Sequence, residues 1–187
     1  YETCKIPFLI YRGYTVPAHV GKNSLVIISS YSGNTEETRS AAVFAQKQGA
    51  RIVVISSGGE LSEWAKSHAE SCFPLPQGYP PRSACGFSIV QQLEILKRSG
   101  FIPDYVAELK SAIQKIKNFG EQAHLKDIAI QASGKWISIY SEDRIESISI
   151  RLRQQINENA KQLCNHHVVP EMNHNELVGW TIPNDKL

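Results

Sequence analysis

The chain has 187 residues, 42% of them hydrophobic, enough to bury a sizeable core in one large domain or parts of two. A net charge of +2, with acidic and basic residues scattered rather than blocked, argues against a nucleic-acid or acidic-membrane partner and leaves small molecules or protein. Cys4, Cys72, Cys85 and Cys164 contain no CxxC pair, so reduced, structural thiols are expected rather than a disulfide frame or a zinc site. With no run of membrane-spanning length and no basic-plus-apolar leader, the expected setting is soluble and cytoplasmic.

The chain opens without Met and enters a strand-like run at Phe8-Leu9-Ile10-Tyr11, and both ends read as those of a fragment. Leu25-Val26-Ile27-Ile28 is an unbroken apolar run of the kind that makes a parallel strand buried on both faces. A hydroxyl-rich turn follows, Ser29-Ser30-Tyr31-Ser32-Gly33-Asn34-Thr35, and then a helix to Gln48, with Asn34 or Thr35 as its cap, Glu36 and Glu37 in its first turn and Gly49 as its stop. Residues 52–56 form a second apolar strand, giving a β-α-β unit with parallel strands.

Residues 60–70 suit a short helix before Pro74 and Pro76 force extended chain. After Gly78-Tyr79-Pro80-Pro81, a helix opens at Arg82 or Ser83 with Ile89, Leu93 and Leu96 on one stripe and Gly100 closing it. A further helix, 103–119, carries Val106, Leu109, Ile113 and Ile116 on one face and serves as a connector. A second strand-then-helix pattern runs from Trp136-Ile137-Ser138-Ile139-Tyr140 to about Leu163, with Ile148, Leu152, Ile156 and Leu163 expected to face a core. The tail from His166 reads mostly as loop, with a short strand at Val168-Val169. These elements predict an α/β fold with parallel sheets flanked by helices, in two similar subdomains. The first spans residues 1–102, residues 103–120 connect, and 121–187 begin the second.

The turn is the first candidate site. Ser30, Ser32 and Thr35 can each donate a hydrogen bond where the amides around Gly33 and the helix start also point, an arrangement that suits a phosphate. The same residues equally suit an ordinary capped turn. Glu158 reads on its helix as a surface glutamate pairing with Arg151 or Lys161, His174 as a loop histidine and Arg82 as a solvent-facing cation. His166, His167, Glu171 and His174 could also be read as metal ligands, but their spacing fits neither HExxH nor a zinc-finger pattern.

Ser30-Tyr31-Ser32-Gly33-Asn34-Thr35-Glu36-Glu37-Thr38 after an apolar strand is similar to the sugar-phosphate signature of the sugar isomerase (SIS) fold. Pro81-Arg82, the run Gln155-Ile156-Asn157-Glu158-Asn159-Ala160-Lys161 and the run Pro170-Glu171-Met172-Asn173-His174-Asn175-Glu176 narrow the resemblance to the bifunctional phosphoglucose/phosphomannose isomerases, in the same order over nearly the whole chain. The resemblance implies that Ser30, Ser32 and Thr35 hold phosphate, Glu158 is the general base, His174 opens the sugar ring and Arg82 stabilises an enediolate. It implies no cofactor and no metal, and a homodimer in which His174 reaches the neighbouring subunit's site. The Gly-Gly-Ser loop that such enzymes carry upstream, and their late lysine, do not occur in the 187 residues.

Overall fold

The computed structural model describes residues 3–120 and 123–181. The chain divides into two units, Tyr1–Ile113 and Gln114–Leu187.

The first unit runs β1 (Leu25–Ser29), α1 (Glu36–Lys47), β2 (Arg51–Ser56), α2 (Gly59–His68), β3 (Ser71–Pro74), a 3-10 turn at Pro81–Ser83 and α3 (Cys85–Arg98). Its sheet has the order β1-β2-β3, all parallel, with Val26 opposite Ile52 and Ile55 opposite Phe73. Side chains alternate across a strand, so β2 supplies two cores. Ile52 and Val54 pack with Ala42 and Ala45 of α1 and Leu61 and Ala65 of α2. Val53 and Ile55 pack with Leu75 and with Ile95 of α3. A sheet covered on both faces is what the unbroken apolar run of β2 requires. Burying a side chain as completely as Ile55 stabilises the fold by roughly 1.5–3 kcal/mol. The alanines of α1 let that helix lie close to the sheet, and Gly49, at φ +75, ends it.

Two expectations fail in this unit. Phe8–Tyr11 forms no strand, and Leu9, Ile10 and Tyr11 are exposed; β1 pairs with β2 alone, and an apolar run without a ladder partner is not a strand. On α3, which begins at Cys85, later than expected, the buried residue is Ile95, which packs on Val53, Ile55 and Leu75, while Ile89 is exposed.

Helix α4 (Val106–Phe119) contains the division between units. The second unit continues with α5 (Ala123–Ala132), β4 (Ile137–Glu142), α6 (Glu146–Gln155), a π turn at Ile156–Ala160, β5 (Cys164–Val169), a 3-10 turn at Glu171–His174 and α7 (Glu176–Gly179). Strands β4 and β5 are parallel, Ile137 opposite Cys164 and Tyr140 opposite His167, and α6 packs on both. Helix α5 falls where no element was expected, since Ile130 departs from the stripe of Leu125 and Ile128.

The expected core stripe of α6 is reversed. Ile148 and Leu152 are exposed, as is Leu163, whereas Ser149 is 4% exposed. The helix also stops at residue 160 instead of 163, since Lys161 adopts the left-handed conformation at φ +55, which frees six residues from Cys164 to pair as β5. That strand is three times the expected length, because Asn165, His166 and His167 interrupt the apolar pattern by which a strand is read.

Candidate active site

The hydroxyl turn connects β1 to α1 and is closed by its own serines. Ser30 is buried, its amide donates to the Ile55 carbonyl at 3.0 Å, and its hydroxyl accepts the Gly33 amide at 3.2 Å. The same hydroxyl lies 3.0 Å from that of Thr35. Ser32, exposed, accepts the Asn34 amide at 3.3 Å. Thr35 stands at the N-cap of α1, yet its side chain makes no capping bond to that helix. The first-turn amides of α1 therefore lack a side-chain acceptor, the polarity an anion favours. Asn34 caps the neighbouring helix instead, its carbonyl oxygen accepting the Glu60 amide of α2 at 3.0 Å.

A second loop, between β2 and α2, braces the first. The Tyr31 carbonyl accepts both the amide and the hydroxyl of Ser57, at 2.9 and 2.6 Å, and the Gly33 carbonyl accepts the Leu61 amide at 2.9 Å. Gly33 is at φ +72, and a Cβ there would collide with the backbone carbonyl of Gly58 in the second loop, so only glycine allows the two loops to touch. The groove of about 560 Å³ between α1 and α2 is a poor anion site by comparison: Glu36 and Glu60 wall it and Arg39 is paired with Glu60.

Arg82 is exposed on the 3-10 turn Pro81–Ser83 of this first unit. Glu158 and His174 belong to the second unit. Glu158 is exposed in the π turn that follows α6, a geometry common at functional positions. Its own carbonyl accepts Lys161 Nζ at 2.6 Å, and the neighbouring Asn157 ties the turn to β5. His174 is exposed at the end of the turn Glu171–His174. Ser30, Ser32 and Thr35 are thus gathered in one turn, and the other three stand on three separate turns.

Sequence reasoning missed the groups that hold those turns. Glu176, two residues beyond His174, accepts the Tyr140 hydroxyl at 2.9 Å and pairs with His167 Nδ1. The Tyr140 ring stacks on His167 with centroids 5.5 Å apart, and burial, then the hydrogen bond to Glu176, pushes the Tyr140 phenol up. His167 Nε2 is in turn 3.1 Å from the Asn165 side-chain amide. The polar character of β5 was the available signal, since polar side chains on a paired strand need partners. Among the described residues no group of three or more His, Cys, Asp or Glu converges as a metal site.

Comparison with known proteins adds to this geometry. Residues 121–187 match the family described as the bacterial phospho-glucose isomerase C-terminal SIS domain. The bifunctional phosphoglucose/phosphomannose isomerase of Caldicellulosiruptor bescii is 34% identical over 192 residues, which cover 97% of this chain and 57% of the relative. That of Aquifex aeolicus is 35% identical over 95% of this chain and 54% of its own. The chain is a homologue of the bifunctional phosphoglucose/phosphomannose isomerases. It spans about half the length of these relatives. The D-glucosamine-6-phosphate 4-epimerase of Sulfolobus acidocaldarius is 33% identical over 97% of this chain and 62% of its own. Among solved structures, a Salmonella typhimurium protein assigned as a phosphosugar isomerase superposes with a TM-score of 0.62 at 21% identity, over 89% of this chain and 53% of that one. A Bacillus subtilis protein of the same assignment gives 0.60 at 19%, over 87% and 52%. The fold is of the SIS type that these isomerases share.

Proposed function

We propose that the chain belongs to an aldose-ketose isomerase that interconverts glucose 6-phosphate or mannose 6-phosphate with fructose 6-phosphate. What carries the reading is the match, at 34% identity over 97% of the chain, to a relative named for both sugars. The Ser30–Thr35 turn supports it as the phosphate handle, with Ser32, the Ser30–Thr35 hydroxyl pair and the open amides of α1 as donors. Glu158 takes the proton from C2 of the opened aldose to give an enediolate and returns it to C1, while Arg82 offsets the developing charge. His174 opens the ring by proton transfer at the ring oxygen. The reaction is redox-neutral within the sugar, so it needs no electron acceptor.

The two SIS subdomains in this proposal are residues 1–102 and 121–187 joined by 103–120, and the working unit is a cytoplasmic homodimer in which His174 serves the neighbouring subunit. The test is steady-state turnover of glucose 6-phosphate and mannose 6-phosphate by the full-length protein and its Glu158→Gln variant. A loss of roughly 10²–10⁴-fold in kcat is expected from removing a general base. Near-unchanged turnover by the variant refutes the assignment. The epimerase relative supports a second reading, an enzyme of amino-sugar phosphates. Turnover of glucosamine 6-phosphate in preference to mannose 6-phosphate would decide for it.

A further inference from the structure

Tyr31 lies inside the hydroxyl turn, between Ser30 and Ser32, yet its side chain leaves the turn. The ring packs against the core of Val53, Ile55, Leu75 and Ile95. Its hydroxyl then reaches a segment 45 residues away and makes two bonds there, donating to the Pro76 carbonyl at 2.8 Å and accepting the Tyr79 amide at 3.0 Å. Pro76 and Tyr79 stand at the first and fourth positions of a bend whose third residue, Gly78, has φ +88. A carbonyl and an amide so spaced ordinarily bond each other across a β-turn. Here the phenol is inserted between them and joins both.

Two residues separate that bend from Arg82, and both are prolines, Pro80 and Pro81. Proline locks φ, so this connection has little freedom of its own. It is braced further by Pro80, whose carbonyl accepts the Ser83 amide and hydroxyl, each at 2.9 Å. A second link runs parallel: Gln77 Nε2 donates to the Ser57 carbonyl at 2.7 Å, and Ser57 is itself bonded to the Tyr31 carbonyl. The Tyr79 ring leans on Phe87 of α3 with centroids 5.2 Å apart.

We propose that Tyr31 is a positioning residue that acts through Arg82: its hydroxyl fixes the Arg82 turn relative to the Ser30–Thr35 turn, and so sets where the guanidinium stands with respect to a phosphate held on the turn. Neither neighbouring serine can do this, because their hydroxyls serve amides within the turn. The proposal rests on the isomerase reading for the role of Arg82, but the tether itself does not.

The full-length protein serves as the test, with Tyr31→Phe, which keeps the ring in the core and removes only the hydroxyl. Tyr79→Phe is the control, since it leaves the backbone amide in place. Tyr31→Phe is expected to speed hydrogen exchange of the Tyr79 amide and to lower kcat by roughly 10- to 100-fold, the scale of a misplaced catalytic group, with inhibition by inorganic phosphate unchanged. Tyr79→Phe is expected to behave as wild type. In a double-mutant cycle, Arg82→Ala should cost much less in the Tyr31→Phe background than in wild type. Unchanged exchange at Tyr79, or strictly additive losses, would overturn the role of Tyr31 and leave the isomerase reading standing. An Arg82→Ala variant that turns over normally would remove Arg82 from the reaction and overturn this proposal with it.

Discussion

The side chain of Asn157 exchanges two hydrogen bonds with the backbone of Cys164, donating to its carbonyl at 3.2 Å and accepting its amide at 2.8 Å. An antiparallel neighbouring strand would bond a residue of β5 in the same manner. The pair joins the π turn that carries Glu158 to the first residue of the strand, across the left-handed Lys161. Asn157→Ala leaves both Cys164 groups without that partner. A loss of about 1–3 kcal/mol is expected by urea denaturation. In the full-length protein kcat should fall more than KM rises, because Asn157 holds the turn of the proposed base and not the proposed phosphate turn. A variant of wild-type stability and turnover would show the clamp to be dispensable.

Ser30 and Ser32 are expected to part company when truncated. Ser30→Ala orphans the buried Gly33 amide and should cost about 1–3 kcal/mol. Ser32→Ala removes an exposed hydroxyl and should stay within about 0.5 kcal/mol. Both should raise KM for a sugar phosphate. Denaturation midpoints and KM measured on the same two variants check this, and a Ser30→Ala protein as stable as Ser32→Ala contradicts it.

The four thiols should differ in reactivity. Burial pushes the Cys164 thiol up and closes it to solvent, while Cys72 is exposed and Cys4 and Cys85 are half-buried. Iodoacetamide near neutral pH should modify Cys72 early and Cys164 only after denaturation, because the thiolate is the reactive species. Peptide mass spectrometry over a time course reads the order. Early labelling of Cys164 would mean that β5 opens readily.

Acid should weaken the first unit through two carboxylates. Arg98, at 2.6 Å, and then Tyr105, at 3.1 Å, hold Glu94 below the usual carboxylate range. The Val106 amide and then Lys97, each at 2.9 Å, do the same for Asp104. Groups with depressed values in the fold stabilise it fully above the unfolded carboxylate pKa, near about 4, and that contribution disappears as pH falls through the lower folded values. Urea midpoints followed from about pH 7 to about pH 3 should drop less steeply for a Glu94→Gln, Asp104→Asn double variant than for wild type. Parallel curves would refute the linkage.

The first unit was legible because its signals are local. The run Ile52–Ile55 is apolar without a break, and α1 carries its own acidic start, alanine face and glycine stop. The second unit was read less well, since its partners lie far apart in sequence. Glu176 satisfies Tyr140, 36 residues away, and Glu146 faces His166, 20 residues away, at 3.4 Å, so β5 can carry histidines where a pattern reader expects loop. The stripe of Ile148 and Leu152 misled because periodicity tells that a helix has an apolar face, not which neighbour covers it. At the candidate site the residue types were readable from the motif, but the holding groups, Tyr31, Asn157 and Glu176, show their purpose only through bonds that span turns and strands.

The contact between Ser30 and Thr35 has an arithmetic of its own. Two hydroxyls carry two protons, and their mutual hydrogen bond occupies one of them whichever way it runs. An anion arriving at the turn therefore meets a single O–H from this pair, and a concerted rotation of both groups decides which oxygen supplies it.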